Sequence, residues 1–311
     1  MWSFKGQGFR YEPKQHDVPA NVQRPTLNPP VSPNVSIIIV SWNVRELLRQ
    51  NLARLLQIGE TFPLEIFVVD NDSRDGTREM VRAEFPSVRL LVNAWNAGFA
   101  AACNRAARLA SGEVILLLNP DMLVEPGAIE RTYKELVDHV DVGVVGAQLV
   151  GQDKKPIHSV RRDPSFSDQL FVLLKLTKRF PRVMDQYLAN DFDYTKTQDV
   201  EQVRGSFFAF RRALGAELGF LDERYFIWFE EVDFCRRVRG KGLKIRYLSE
   251  ALAHDAVGQS FKQQSFAWKQ RQFSRSMALY FSRWAPAWQA GVIWALRPGI
   301  ICAAAIHDFF L

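Results

Sequence analysis

Cysteine is scarce in this chain: Cys103, Cys235 and Cys302 are the only three in 311 residues, and no two of them form a CxxC pair. That argues against a disulfide framework and a cysteine-built zinc site, and it fits a reducing compartment. The start, Met1-Trp-Ser-Phe-Lys5, lacks a charged segment leading into an apolar core, so no secretory leader is read there. Glycine is absent from Ser41-Trp-Asn-Val-Arg45, just after the first apolar run. A dinucleotide-binding dehydrogenase needs a glycine-rich turn at that point, and a sugar nucleotidyltransferase a glycine-rich basic loop, so both are discounted. Acidic residues are missing between residues 256 and 307, where Lys262, Lys269, Arg271, Arg275, Arg283 and Arg297 stand. The rest of the composition is globular, 47% hydrophobic and 24% charged, and a net charge of +6 points to an anionic partner.

Six of the fifteen prolines fall in residues 1–33, which lack apolar periodicity and read as an irregular N-terminal arm. From Val35-Ser-Ile-Ile-Ile-Val-Ser41 onward, strands and helices alternate. Leu47, Leu48, Leu52, Leu55 and Leu56 recur at helical spacing after that first strand. A second strand, Leu64-Glu-Ile-Phe-Val-Val-Asp70, ends in a carboxylate, followed by the turn Asn71-Asp-Ser-Arg-Asp-Gly76 and a short helix from Thr77. Residues 88–92 predict a third strand and residues 99–110 a helix of small residues. In Glu113-Val-Ile-Leu-Leu-Leu-Asn-Pro-Asp121 the apolar run has the length of a strand buried on both faces, and Pro120 stops the ladder so that Asp121 sits at the rim. Taken alone, this stretch favours reading Asp121 as a cap of the turn before Glu125-Pro-Gly127. Four strands alternating with three helices, however, predict a parallel α/β sheet with right-handed crossovers. Such a sheet brings Asp70 and Asp121 to one carboxyl rim, where ligands bind.

Residues 153–197 yield no clean period. A strand is read at Val203-Arg-Gly-Ser-Phe-Phe-Ala-Phe210, and then Glu230, Glu231 and Asp233 follow the aromatic cluster Phe226-Ile-Trp-Phe229. In a helix over residues 231–239 these acids occupy or adjoin the first turn, which the helix dipole favours; the aromatics set them beside apolar surface rather than open water. In the tail, Phe266, Phe273, Met277, Tyr280, Phe281 and Trp284 recur near helical spacing, an aromatic stripe opposite the cations. Residues 285–306 are apolar but interrupted by Gln289, Arg297 and Pro298. They predict a helix lying in a membrane interface, with Trp284, Trp288 and Trp294 at headgroup level, rather than a spanning helix. The competing reading packs the tail on the rest of the chain as a core helix.

Over about residues 35–260 these stretches resemble glycosyltransferase family 2, with its GT-A fold. Val35-Ser-Ile-Ile-Ile-Val-Ser-Trp-Asn43 resembles the opening strand and Val69-Asp-Asn-Asp-Ser-Arg-Asp-Gly-Thr77 the nucleotide-binding turn. Asn96-Ala-Gly-Phe-Ala-Ala-Ala-Cys-Asn104, Leu118-Asn-Pro-Asp121, Phe229-Glu-Glu-Val-Asp-Phe-Cys-Arg236 and His254-Asp-Ala-Val-Gly-Gln-Ser260 resemble segments of its rhamnosyltransferase-like branch. The resemblance implies an irregular arm (1–33), a catalytic domain (34–260) with a nucleotide-sugar half (34–150) and an acceptor half (151–260), and a membrane-associating tail (261–311).

The resemblance further implies that Ser41, Asn43, Asp70, Asp72, Asn96, Gly98, Asn104 and Asn119 face the nucleotide-diphosphate sugar. Asp72 also suits a plain turn contact before Gly76. Asp121, with His254, would hold Mg²⁺ or Mn²⁺, a hard cation that neutralises pyrophosphate charge as the glycosidic bond breaks; a lone histidine is also an ordinary surface or core residue. The family's usual DxD motif has a carboxylate at both ends, and Asn119 stands at the first position here. Glu231 would be the general base, where many members have Asp, with Glu230 and Asp233 orienting it or binding acceptor hydroxyls. A single base implies inversion at the anomeric carbon. The implied activity is transfer of a sugar, L-rhamnose from a dTDP-sugar on the branch resemblance, to a saccharide acceptor of polysaccharide biosynthesis that is polyprenyl-linked. The implied location is cytoplasmic, peripheral on the inner face of the cell membrane, with no nucleic-acid partner. A non-catalytic nucleotide-sugar-binding or assembly protein on the same fold is the alternative. Donor base, acceptor linkage and oligomeric state stay open.

Overall fold

The alternation in the sequence becomes a mixed sheet because its apolar runs differ in how they are connected. The computed structural model describes residues 33–151, 155–255 and 263–310. Apart from Pro33, the arm expected over residues 1–33 therefore lies outside the described residues. So does the His254 motif beyond Asp255.

The first half runs β1 (Val35–Ser41), α1 (Arg45–Gly59), β2 (Leu64–Asp70), α2 (Thr77–Glu84), β3 (Arg89–Val92), α3 (Phe99–Ala107) and β4 (Val114–Leu118). β3, β2, β1 and β4 lie side by side and all pair in parallel, as helical crossovers demand. The second half contributes β5 (Met122–Val124), α4 (Ala128–Asp138), β6 (Val142–Val150), β7 (Val160–Arg161), α5 (Phe166–Leu173), a 3₁₀ turn (Pro181–Met184), α6 (Asp185–Leu188), β8 (Gln198–Val200), β9 (Gln202–Val203), β10 (Phe207–Arg211), α7 (Arg212–Leu218), α8 (Glu230–Gly240) and β11 (Lys244–Asp255). Among the described residues the main sheet has the order β3-β2-β1-β4-β10-β6-β11-β5, with β8 on β11. β10 is antiparallel to β4 and β6, so the sheet is largely, not wholly, parallel.

The strand expected over residues 203–210 is split. β9 leaves the main sheet to form a two-stranded ribbon with β7, and β10 resumes only at Phe207. Gly205 and Ser206 form a turn between them. Helices cover both sheet faces. Leu48, Leu52, Leu55, Met80, Val81 and Leu136 pack on one, and Ala100, Cys103, Ala106, Phe234 and Val238 on the other. This double cover is why residues 37–40 of β1 and all of β4 read as unbroken apolar runs.

The tail forms two helices, α9 (Phe266–Trp284) and α10 (Ala287–Phe309). The aromatic stripe of α9 belongs to a third core: Met277, Tyr280 and Phe281 are buried with Leu173, Tyr225, Phe229 and Val232. Burying side chains of this size contributes about 1.5–3 kcal/mol each. Asp308, the first acid after the cationic stretch, folds back to accept from Phe266 N (3.0 Å) and Ala267 N (2.8 Å) at the start of α9, where orphan amides and the dipole favour a carboxylate. For α9 the core-helix reading of the tail therefore describes the structure. Trp284, expected at headgroup level, is a packed residue that donates to Asp233 Oδ1 at 2.8 Å.

Candidate active site

Parallel register brings the carboxyl ends of β1 and β2 together, with Ser41 opposite Asp70. The Ser41 hydroxyl and Asp70 Oδ1 are buried and have no hydrogen-bond partner among the described residues. Asp70 Oδ2 is engaged by Arg78 Nε at 2.5 Å and Ser73 N at 3.2 Å, and Arg78 also approaches Asp72 Oδ1 at 3.4 Å. Asp72 has a left-handed φ of +73°. Asp75, rather than Asp72, makes the turn contact before α2, accepting from Thr77 N at 3.2 Å and from Arg45 N at 2.9 Å.

Around this turn the amides hold protein to protein. Asn43 N donates to Ser73 Oγ (3.1 Å), and Asn43 Oδ1 accepts from Arg74 N (2.8 Å). Asn71 donates to Asn96 Oδ1 (2.8 Å) while accepting from Asn93 Nδ2 and Ala97 N. Gly98 has φ +86°, and a Cβ there would fall 2.5 Å from Phe226 O, so glycine alone lets Phe99 N donate to that carbonyl at 2.7 Å. Asn104 clamps the same loop through the backbone of Leu221 and through Glu223 Oε1. Asn96, Gly98 and Asn104 thus act together to join the Asp70 turn and α3 to the segment that leads into α8.

The Asn119-Pro-Asp121 turn is held from two sides. Asn51 donates to Asn119 O (3.0 Å) and Met122 O (2.8 Å), while Asn119 N donates to Ser206 O at 3.0 Å. Asp121 ends up nearly buried at the rim. The sequence signal for Asn51 was present but unused: a polar residue among Leu48, Leu52 and Leu55 on the buried face of α1.

α8 begins at Glu230, one residue earlier than expected, and is entered through Trp228 and Phe229 at φ +64° and +71°. Left-handed backbone at bulky residues costs about 1–3 kcal/mol each and persists only where packing enforces it. Here the enforcement comes from α9: Phe273 and Tyr280 lie 5.7 and 5.4 Å from the Phe229 ring, and Ser276 Oγ donates to Ile227 O at 2.8 Å. The three acids then divide. Glu230 Oε2 and Glu231 Oε2 are buried without partners among the described residues, and burial pushes both carboxyls up, Glu230 further because of the neighbouring Glu231. Asp233 is saturated by Arg237 Nε (2.8 Å), Arg283 Nη1 (3.1 and 3.2 Å) and Trp284 Nε1, and so ties α8 to α9.

His254 Nε2 lies 2.8 Å from Glu125 Oε1. The next residue, Asp255, alternates to the buried side of β11 and has Arg204 Nη1 at 3.7 Å. No cage of three His, Cys, Asp or Glu side chains occurs among the described residues. One rim carboxylate such as Asp121 nevertheless fits Mg²⁺ or Mn²⁺ chemistry, because such ions take much of their coordination from substrate phosphates.

Comparison with known proteins accords with this geometry. Residues 36–214 match the family model "Glycosyl transferase family 2". Over 235 residues the chain is 28% identical to the N-acetylglucosaminyl-diphospho-decaprenol L-rhamnosyltransferase of Mycobacterium tuberculosis, covering 71% of this chain and 76% of the relative. It is 27% identical over 180 residues to the rhamnosyltransferase WbbL of Escherichia coli, covering 55% of this chain and 64% of the relative. Among solved structures, mannosyltransferase PcManGT from Pyrobaculum calidifontis in complex with GDP-Man and Mn²⁺ superposes with a TM-score of 0.55 at 20% identity, covering 89% of this chain and 74% of that one. These likenesses give the architecture as GT-A, and with the family match spanning more than half of its length, the chain belongs to glycosyltransferase family 2.

Proposed function

We propose that this chain is an inverting glycosyltransferase that moves L-rhamnose from a dTDP-sugar to a hydroxyl of a polyprenyl-diphosphate-linked saccharide, with Glu231 as general base. The observation that carries the reading is two pairs of buried oxygens without a hydrogen-bond partner among the described residues: Ser41 Oγ and Asp70 Oδ1 at the carboxyl ends of β1 and β2, and Glu230 Oε2 and Glu231 Oε2 at the start of α8. Unsatisfied buried polar atoms are rare and costly, so each pair marks where a polar ligand completes the hydrogen bonding. The donor nucleoside would address Ser41 and Asp70, and Asp121 would hold the divalent cation. When bound, the cation neutralises charge on the leaving diphosphate.

In the transfer, the acceptor hydroxyl gives its proton to a Glu231 carboxylate oxygen as its own oxygen bonds to the anomeric carbon. The bond from that carbon to the diphosphate oxygen breaks, and its electron pair leaves with the nucleoside diphosphate. Burial makes Glu231 a stronger base than an exposed carboxylate, which suits proton abstraction near neutral pH. Rhamnose and the lipid diphosphate follow the relatives' names and share their modest identity as support.

The tail supports a membrane surface as the place of work. α10 is long and apolar enough to cross a bilayer, but it packs on α9 through Ala290, Ile293 and Ala304. Trp288, Val292, Ile306 and Phe309, on the stripe 288-292-295-299-302-306-309, are exposed. Arg297 turns inward to Ser274 Oγ (3.2 Å), so it does not interrupt that stripe. A helix with one face on protein and one apolar face exposed suits the interface rather than a span.

The deciding experiment is turnover. Purified chain with Mn²⁺, dTDP-rhamnose and a short-chain polyprenyl-diphosphate saccharide should release dTDP and give a rhamnoside with anomeric configuration opposite to the donor's, read by NMR. Binding of nucleotide sugars without transfer across a donor panel would favour the non-catalytic alternative.

A further inference from the structure

The β7–β9 ribbon stands beside the base and carries charge that the donor end does not use. Antiparallel register sets Arg161 opposite Gln202 and Val160 opposite Val203, and Arg204 N donates to Ser159 O at 2.9 Å. Strand alternation turns Val160 and Val203 into the core and puts Ser159, Arg161 and Arg204 on the opposite face. Directly after Arg204, a Cβ on Gly205 would lie 3.7 Å from the Cβ of Glu231, and the charge of Arg204 acts on the Glu231 carboxyl against the effect of its burial, so this end of the ribbon adjoins the base.

Two features there call for an anion. Among the described residues no carboxylate lies within ion-pair distance of Arg161, whose Nη1 bonds only the carbonyls of His158 and Val160 at 2.7 Å. Burial and the nearby Arg204 both hold its guanidinium below the usual range, with Tyr187 and Tyr194 working against them. Arg204 meets the carboxylate of Asp255 at a loose 3.7 Å. The second feature is independent of charge. Ser159 and Ser206 are 2% and 6% exposed, and their hydroxyls have no hydrogen-bond partner among the described residues. An arginine without a carboxylate partner among the described residues, a second in a loose ion pair, and two orphan hydroxyls match the donors that a phosphate needs.

We propose that Ser159, Arg161 and Arg204 form the binding site for the acceptor's diphosphate, so that the lipid-linked saccharide is held by its phosphates with its sugar hydroxyl at Glu231. This rests on the glycosyltransferase reading of Glu231 given above. It separates two diphosphates: the donor's lies toward Asp70 and Asp121, the acceptor's on the ribbon. It also puts the acceptor on the side where α5 and the tail pack, with the Phe166 ring edge-to-face with Phe281 at 6.0 Å and with Trp288 at 5.0 Å.

The test compares two acceptors with the same saccharide, one a short-chain polyprenyl diphosphate and one a neutral alkyl glycoside, in the wild-type chain, Arg161→Gln and Arg204→Gln. Losing a charged hydrogen-bond donor should raise KM for the diphosphate acceptor by about 10- to 100-fold. KM for the alkyl glycoside and for the donor should stay unchanged. An equal rise for both acceptors, or a rise for the donor instead, overturns the assignment. Arg204, with 35% of its side chain exposed, carries the test if Arg161→Gln fails to fold. Calorimetric titration of inorganic pyrophosphate into protein saturated with dTDP and Mn²⁺ separates the two hypotheses. Pyrophosphate binding that both variants lose, with no transfer by the wild-type chain, rejects the catalytic reading and keeps the anion site; no pyrophosphate binding by the wild-type chain rejects the anion site.

Discussion

Glu230 and Glu231 differ by one position, yet they should respond differently to the same chemistry. Glu231→Gln keeps the shape of the side chain but cannot take a proton, so transfer should fall about 10²- to 10⁴-fold with donor affinity intact, measured by dTDP release and by calorimetry. If Glu230→Gln shows that loss and Glu231→Gln does not, the base is Glu230. Glu230 has its own signature in stability. Its folded carboxyl is raised well above 4.5, so the proton it holds stabilises the fold fully below the unfolded value, and that contribution is lost as pH rises through the raised folded value. Urea melts from pH 4.5 upward should therefore show wild-type stability falling relative to Glu230→Gln; parallel curves would contradict the burial argument. Asp121→Ala should abolish Mn²⁺-dependent binding of dTDP while the protein stays folded, because a rim carboxylate serves phosphates rather than the core. Unchanged calorimetric affinity would remove Asp121 from the metal site.

At the scale of elements, α8 and α9 act as one unit. The strained Trp228–Phe229 entry to α8 is held by Phe273, Ser276 and Tyr280 of α9, and Asp233 of α8 is held by Arg283 and Trp284 at the end of α9. Replacing Asp233 with Ala leaves Arg237, 10% exposed at its side chain, without its ion-pair partner, and should cost about 3–5 kcal/mol in urea denaturation. An Asp233→Ala chain of wild-type stability would show that α9 is held by its aromatics alone. Deleting the whole tail would remove this support as well as any membrane contact, so it cannot report on membranes separately.

The whole molecule presents one apolar stripe along α10, with Arg271 and Arg275 exposed on α9 and close enough to Arg297 to lower it further after burial. Each cation near an anionic surface contributes about 1 kcal/mol. The chain should sediment with anionic liposomes and release as salt rises. Replacing Val292, Ile306 and Phe309 together with Ser should abolish sedimentation while leaving the α9 core intact. Equal binding to neutral and anionic vesicles would remove the electrostatic part, and binding to neither would favour a soluble acceptor.

Local pattern carried the first half of this fold. Apolar runs ending in Ser41, Asp70 and the Asn119-Pro-Asp121 turn, with helices alternating between them, call for a right-handed parallel arrangement, so the rim and the positions of Asp70 and Asp121 were legible from periodicity and punctuation. The acid helix was legible too, because an aromatic cluster followed by three carboxylates leaves few alternatives. What the chain order could not decide was partnership across long sequence separations. That Asp233 is spent on Arg283 and Trp284 while Glu230 and Glu231 keep unpartnered oxygens depends on α9 returning about fifty residues later to pack on α8. That Arg161 and Arg204 meet beside Glu231 depends on the β7–β9 ribbon, whose two-residue strands are too short to leave a period in the sequence. Periodicity records which face of an element is buried; only the tertiary structure decides which charges are left without partners there, because that depends on which segments arrive to pair with them.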